Sequence, residues 1–175
     1  MNKKLLKIDM IGFVVVCITG TLMHFIFHWS GENTIVGLFC PINESPWEHL
    51  KMLFFPFLIF TVFAERKLKQ DKFNIWFAGY ISILTGMTAT LCYFYTLNGA
   101  LGGNNEWVNI SSFFAGLAIA FVVNYFLVNN SIGRGLPNGI AGGMLILTTL
   151  AFILFTFKPP IIPLFQDPQN FTFGI

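Results

Sequence analysis

Ser45-Pro46-Trp47-Glu48-His49-Leu50-Lys51, with the uncharged run from Met52 to Ala64 behind it, decides how many helices this chain holds. That run is 13 residues long, short of the roughly 20 a helix needs to cross a bilayer's hydrocarbon core. A spanning helix must therefore start earlier and carry Glu48, His49 and Lys51 in its first turns. The start signal is in place. Ser45 is an N-cap residue, Pro46 suits the first helical position and Glu48 the third, which together read as a capping box. A helix over 45–64 then has the length of a span.

Outward from it, four longer uncharged runs lie at 10–31, 73–105, 107–133 and 135–157. They predict helices near 8–28, 74–97, 107–128 and 136–157, because in lipid the backbone must satisfy its own hydrogen bonds. The expected fold class is an all-α membrane protein: one transmembrane domain over 1–175, a single bundle of five helices, and an extended tail over 158–175. Composition agrees. Of the 175 residues 55% are hydrophobic and 10% charged, where a soluble domain has about 25% charged. A net charge of +2 argues for no nucleic-acid partner, and the lipid bilayer is the expected one. Cys17, Cys40 and Cys92 are odd in number and widely spaced, which fits neither a disulfide framework nor a zinc ribbon.

Orientation follows from the excess of Lys and Arg expected on the cytoplasmic side. With the N-terminus inside, Lys3, Lys4, Lys7, Arg66, Lys67, Lys69, Lys72 and Arg134 are cytoplasmic, and only Lys51 and Lys158 are outside. The tail then emerges outside, in a multi-pass protein of the cytoplasmic membrane. Trp29, Trp47 and Trp107 fall at the outer interface and Trp76 at the inner one. No small-residue cleavage site follows the first apolar segment, so it is read as a retained helix. Gly135, Gly139 and Gly143 form two overlapping GxxxG steps, a surface for close helix–helix packing or for a helical partner.

Ionisable residues are costly near a membrane core, and here they gather at one end. His24, His28 and Glu32 close the first helix; Glu44, Glu48 and His49 open the second. His24 and His28 stand one turn apart, about 6 Å along the axis, an i, i+4 pair that can share a metal ion. Glu32 joins them only if the helix survives Gly31. The short connection brings His49 and the two glutamates near the pair. Three imidazoles and a carboxylate make a candidate site for a divalent metal such as zinc, with His24, His28 and His49 as ligands and Glu44 or Glu48 as general base. Each residue also has a plain structural role. Glu48 completes a capping box, Glu44 can be solvated, and the two first-helix histidines can be a hydrogen-bonding pair.

In the tail, Lys158-Pro159-Pro160-Ile161-Ile162-Pro163 cannot continue a helix. Leu164-Phe165-Gln166-Asp167-Pro168 adds an apolar anchor and one carboxylate. It is either a strap or a lid that carries Asp167 to the histidines.

Glu32-Asn33, Pro41-Ile42-Asn43-Glu44-Ser45-Pro46-Trp47-Glu48-His49-Leu50-Lys51 and the tail from Pro159 to Pro168 resemble a bacterial family of small multi-pass membrane proteins of unknown function. The resemblance rests on an Asn-Glu-Ser-x-Trp-Glu-His-x-Lys signature and a Pro-Pro-x-x-Pro-Leu-Phe-x-Asp-Pro tail. It implies size and helix number, and brings no activity. Where that family's tail tends to end in Gly-x-Tyr-Gly, this one has Asn170-Phe171-Thr172-Phe173-Gly174.

Three classes of function fit these features. One is a metal-dependent hydrolase of lipid or lipid-linked substrates, with haem ligation by paired histidines as a variant. The second binds or transports a small cation, amine or lipid head group without turnover. The third is an accessory subunit of a membrane complex, docked through Gly135, Gly139 and Gly143.

Overall fold

The computed structural model describes residues 3–68, 74–133 and 137–175, which form six α-helices and one 3-10 turn. Lys69, Lys72, Arg134 and Gly135 lie outside the described residues. The long helices are α1 (Lys3–Trp29), α3 (Pro46–Leu68), α4 (Ile75–Leu101), α5 (Glu106–Asn129) and α6 (Asn138–Phe157). Each is long and apolar enough to cross a membrane. The short α2 (Thr34–Gly37) sits in the α1–α3 connection. No strand occurs among the described residues; a single bridge joins Gln166 to Phe173.

Four of the five long helices outrun an expected bound, by one to five residues, for local reasons. α1 starts at Lys3 because Leu5 and Asp9 are buried, which carries order below the apolar run. α3 continues to Leu68, whose side chain is fully covered. α4 reaches Leu101 and stops on Gly102, whose φ of 75° supplies the left-handed C-cap. The four-residue α2 was not expected; its signal is Asn33, whose side chain accepts from the Ile35 N–H at 2.9 Å.

Successive long helices run in opposite directions. Gly12 and Gly20 of α1 lie against Phe60 and the Met52 carbonyl of α3. Gly79 and Gly86 of α4 face Thr61 and Leu53 of α3, and Gly86 also faces Ala120 of α5. Asn98 of α4 donates to Asn109 of α5 at 3.1 Å. The Phe152 ring of α6 lies 5.1 Å from that of Phe54 of α3, tilted by 48°. One end of the bundle therefore gathers Trp29, Pro46 and Phe157, and the other Lys3, Leu68 and Asn129. α3 is the innermost helix, while α1 and α6 turn most of their apolar side chains outward, as a lipid-facing surface requires.

Close approach in this bundle depends on glycines other than those the sequence pattern singled out. A Cβ at Gly12, Gly20, Gly86 or Gly116 would strike a neighbouring helix, whereas one at Gly139 or Gly143 meets nothing within 4 Å. Gly139 and Gly143 pack against nothing among the described residues, because α6 contacts the bundle through the stripe Ala141, Leu145, Phe152 and Thr156 instead. Trp47 also departs from expectation. Rather than facing a bilayer interface it is wedged inward, its ring 4.7 Å from Phe152 and 4.9 Å from Phe165. Trp29 and Trp107 are exposed.

The tail is not extended throughout. It turns at Pro163–Phe165, seats Phe165 on Trp47 and Phe155, and closes with the Ile175 N–H donating to the Thr156 carbonyl at 3.1 Å. Gly174, with φ of 64°, passes too close to Pro159 and the Thr156 carbonyl for a side chain.

Candidate functional site

Three ligating side chains from three segments meet where α1 ends and α3 begins. His24 Nε2 stands 3.7 Å from Glu44 Oε1, and His49 Nε2 stands 3.4 Å from Glu44 Oε2. The two imidazole rings lie 5.4 Å apart, centroid to centroid, at 33°. One ligand atom from each residue falls within 4.8 Å of the others, a grouping capable of holding a metal ion. All three residues are half-buried, so the group is uncovered by the rest of the chain on one side.

Local structure orients each member. His49 occupies the first turn of α3, and its Nδ1 lies 3.0 Å from the Ser45 carbonyl. A carbonyl only accepts, so Nδ1 carries the proton and Nε2 is left to face Glu44. The ring meets Glu44 either as imidazolium, donating Nε2–H, or as neutral imidazole with its Nε2 lone pair available to a cation. Glu44 precedes the helix cap, and its backbone N–H donates to Asp167 Oδ2 at 3.3 Å. The hydrogen bond from His49 holds the Glu44 carboxyl below its ordinary range against the upward push of burial; the charges of His49, His24 and His28 act in the same direction as that bond. His24 Nδ1 is buried and has no hydrogen-bond partner among the described residues.

Asp167 stands at the edge of this group without touching an imidazole. Its Oδ1 accepts from the Gln169 and Asn170 N–H groups at 2.7 and 3.4 Å, and its side chain is almost wholly covered. The tail thus grips the backbone of Glu44 through one buried carboxylate. His28 and Glu32 do not join the group. α1 ends at Trp29, Gly31 and Glu32 take left-handed φ values of 70° and 59°, and the two side chains pair with each other at 3.7 Å in an exposed position.

Glu48 is committed elsewhere. Half of the expected capping box is present, since the Glu48 N–H donates to Ser45 Oγ at 3.3 Å. The carboxylate does not return to the Ser45 N–H, which donates to Asn43 Oδ1 instead. It accepts from Lys51 Nζ at 2.6 Å and from the Ile42 N–H at 3.1 Å. Lys51 Nζ also donates to the Gly37 carbonyl at 2.8 Å and to Thr156 Oγ1 at 2.7 Å. Three ammonium protons meet three acceptors in a side chain that is 0% exposed. This network was missed in the sequence, although its spacing was available: Glu48 and Lys51 are i, i+3 on one helix face, where opposite charges pair.

Over residues 1–175 the sequence matches the family described as "Family of unknown function (DUF6512)". The chain belongs to that family. No curated protein and no solved structure matches it. Membership therefore supplies no reaction, and the chemistry must be read from the group itself.

Proposed function

We propose that this DUF6512 member is an integral membrane protein that binds a divalent metal such as zinc at its outer rim through His24, Glu44 and His49. The observation that carries this reading is the convergence of two Nε2 atoms and one carboxylate from α1, α3 and the loop between them, with the His49 tautomer set by Ser45. Ligand atoms up to 4.8 Å apart would have to draw inward by about 1 Å around zinc, whose ligands sit roughly 2.0–2.1 Å from the ion. Half-exposed side chains on a loop and two helix ends allow that movement. The orientation rests on the Lys and Arg distribution, which favours an N-terminus inside and the site and tail outside, in the cytoplasmic membrane.

Three protein ligands leave one tetrahedral position for water or a substrate oxygen, the arrangement of hydrolytic zinc sites. A hydrolase of lipid or lipid-linked substrates is the enzymatic form of this proposal. The sealing of Glu48 against Lys51 favours a second form, in which the site binds a cation or an amine-bearing head group without turnover, because with Glu44 spent as a ligand it leaves neither candidate base free.

Full-length protein purified without chelators, assayed for zinc, iron, manganese and copper and titrated with zinc by calorimetry, tests the site. The expected result is about one ion per chain, lost in His24→Ala and His49→Ala and kept in His28→Ala. Folded protein that neither retains nor takes up any of these metals overturns it.

A further inference from the structure

A second polar site lies at the other end of the bundle, where α1 meets the last turns of α5. Asp9 is 5% exposed and Asn124 is 3% exposed. Asn124 Nδ2 donates to Asp9 Oδ1 at 3.0 Å, and Asp9 Oδ2 is buried with no hydrogen-bond partner among the described residues. We propose that Asp9, held by Asn124, is a proton-binding site that exchanges with the compartment facing the Lys3 end of the bundle.

The reasoning is one of charge matching. An ionised Asp9 would present two oxygens to its surroundings and find a single neutral donor. Among the described residues the titratable groups near this end are Lys3, Lys4 and Lys7 on α1, Glu65, Arg66 and Lys67 on the last turn of α3, Tyr80 on α4 and Tyr125 on α5. The α1 lysines, Arg66 and Lys67 are exposed, and among the described residues none of these groups pairs with Asp9. The Tyr125 hydroxyl is buried, with no hydrogen-bond partner among the described residues, Asp9 included. α2, which also touches α1, carries no titratable side chain. A buried carboxylate without a cation binds the smallest one available: a proton on Oδ2 makes the group neutral and leaves Oδ1 accepting from Asn124. One unmatched hydroxyl proton costs far less than an unmatched charge.

The direction of access follows from the next layer. Phe13 and Phe121 pack edge to face at 5.7 Å, with Phe60 4.9 Å from Phe121, and the Gly12 backbone lies against both Phe60 and Phe121. This aromatic layer separates Asp9 from the His24 end, so protons reach it from the Lys3 side.

The chain holds three aspartates, Asp9, Asp71 and Asp167, so carboxyl-labelled aspartate gives three carbon-13 signals in the full-length protein. At pH 6 a free aspartate, with an ordinary value of about 3.9, is ionised. The expected spectrum in lipid nanodiscs shows one protonated carboxyl at pH 6, absent from Asp9→Asn. Three ionised signals at pH 6 in wild-type protein, or a protonated signal that persists in Asp9→Asn, overturns the proposal.

Discussion

His49 and Lys51 lie two residues apart on α3, yet their surroundings differ in kind. Lys51 points into the bundle and finds a carboxylate, a carbonyl and a hydroxyl from three segments, with every proton used. His49 sits with His24 around one carboxylate, half-buried, with Nε2 facing Glu44 and the His24 Nδ1 unmatched. A saturated network resists change and holds the fold. An unsaturated, half-open one has capacity left for a ligand, and the lesson is that charge in the same nine-residue stretch divides between the two according to whether its hydrogen-bonding groups are all used.

The sharpest way to break this contrast is Lys51→Met. It strands the buried Glu48 carboxylate, and removal of one partner of a buried pair costs about 3–5 kcal/mol. Unfolding in detergent should show a loss of that size, and Glu48→Gln in the same chain should restore much of it. Near-wild-type stability of Lys51→Met alone would mean the network is not the structural half of the pair.

Next comes His49→Ala, expected to weaken zinc binding by at least about 100-fold, beyond what loss of a supporting residue costs, while the melting temperature of the metal-free protein falls no further than in Glu44→Gln. An unchanged zinc isotherm would remove the functional half of the comparison. Asp167→Asn should act less strongly, by about 10-fold in zinc affinity, since it holds the Glu44 backbone and touches no ligand nitrogen. Equal losses from Asp167→Asn and His49→Ala would instead make the tail part of the site.

The smallest effect is in the acid limb. Glu44 is held below its ordinary value by the His49 hydrogen bond, so its folded form binds a proton less readily than its unfolded form. Its contribution to stability is fully present above about 4.5, the unfolded value, and is lost as pH falls through the lower folded value. Melting temperatures of metal-free wild type and Glu44→Gln should differ near pH 6 and converge toward pH 3. A gap of constant size across that range would show that Glu44 is held by something other than its charge.

Much of the scaffold was legible in the residues. Five apolar stretches became five long helices because a buried or lipid-facing backbone has few other ways to satisfy its hydrogen bonds, and the Ser45 cap marked where α3 begins. The polar group was legible in part. Convergence of His24, Glu44 and His49 could be expected from a short connection between antiparallel helices. The exclusion of His28 could not, because it depends on how far α1 extends past the level of Glu44 and on the left-handed backbone at Gly31 and Glu32.

Hydropathy and charge spacing, which are properties of consecutive residues, were enough to define helix number, the clustering of ionisable groups at one end and the break before the tail. Partnership across the chain was not contained in them. That Lys51 would meet Thr156, Asp9 would meet Asn124, and Asp167 would hold the backbone of Glu44 joins positions more than a hundred residues apart. Those pairs exist only because helix rotation and the return of the tail bring them within hydrogen-bonding distance, and packing of side-chain shapes sets both.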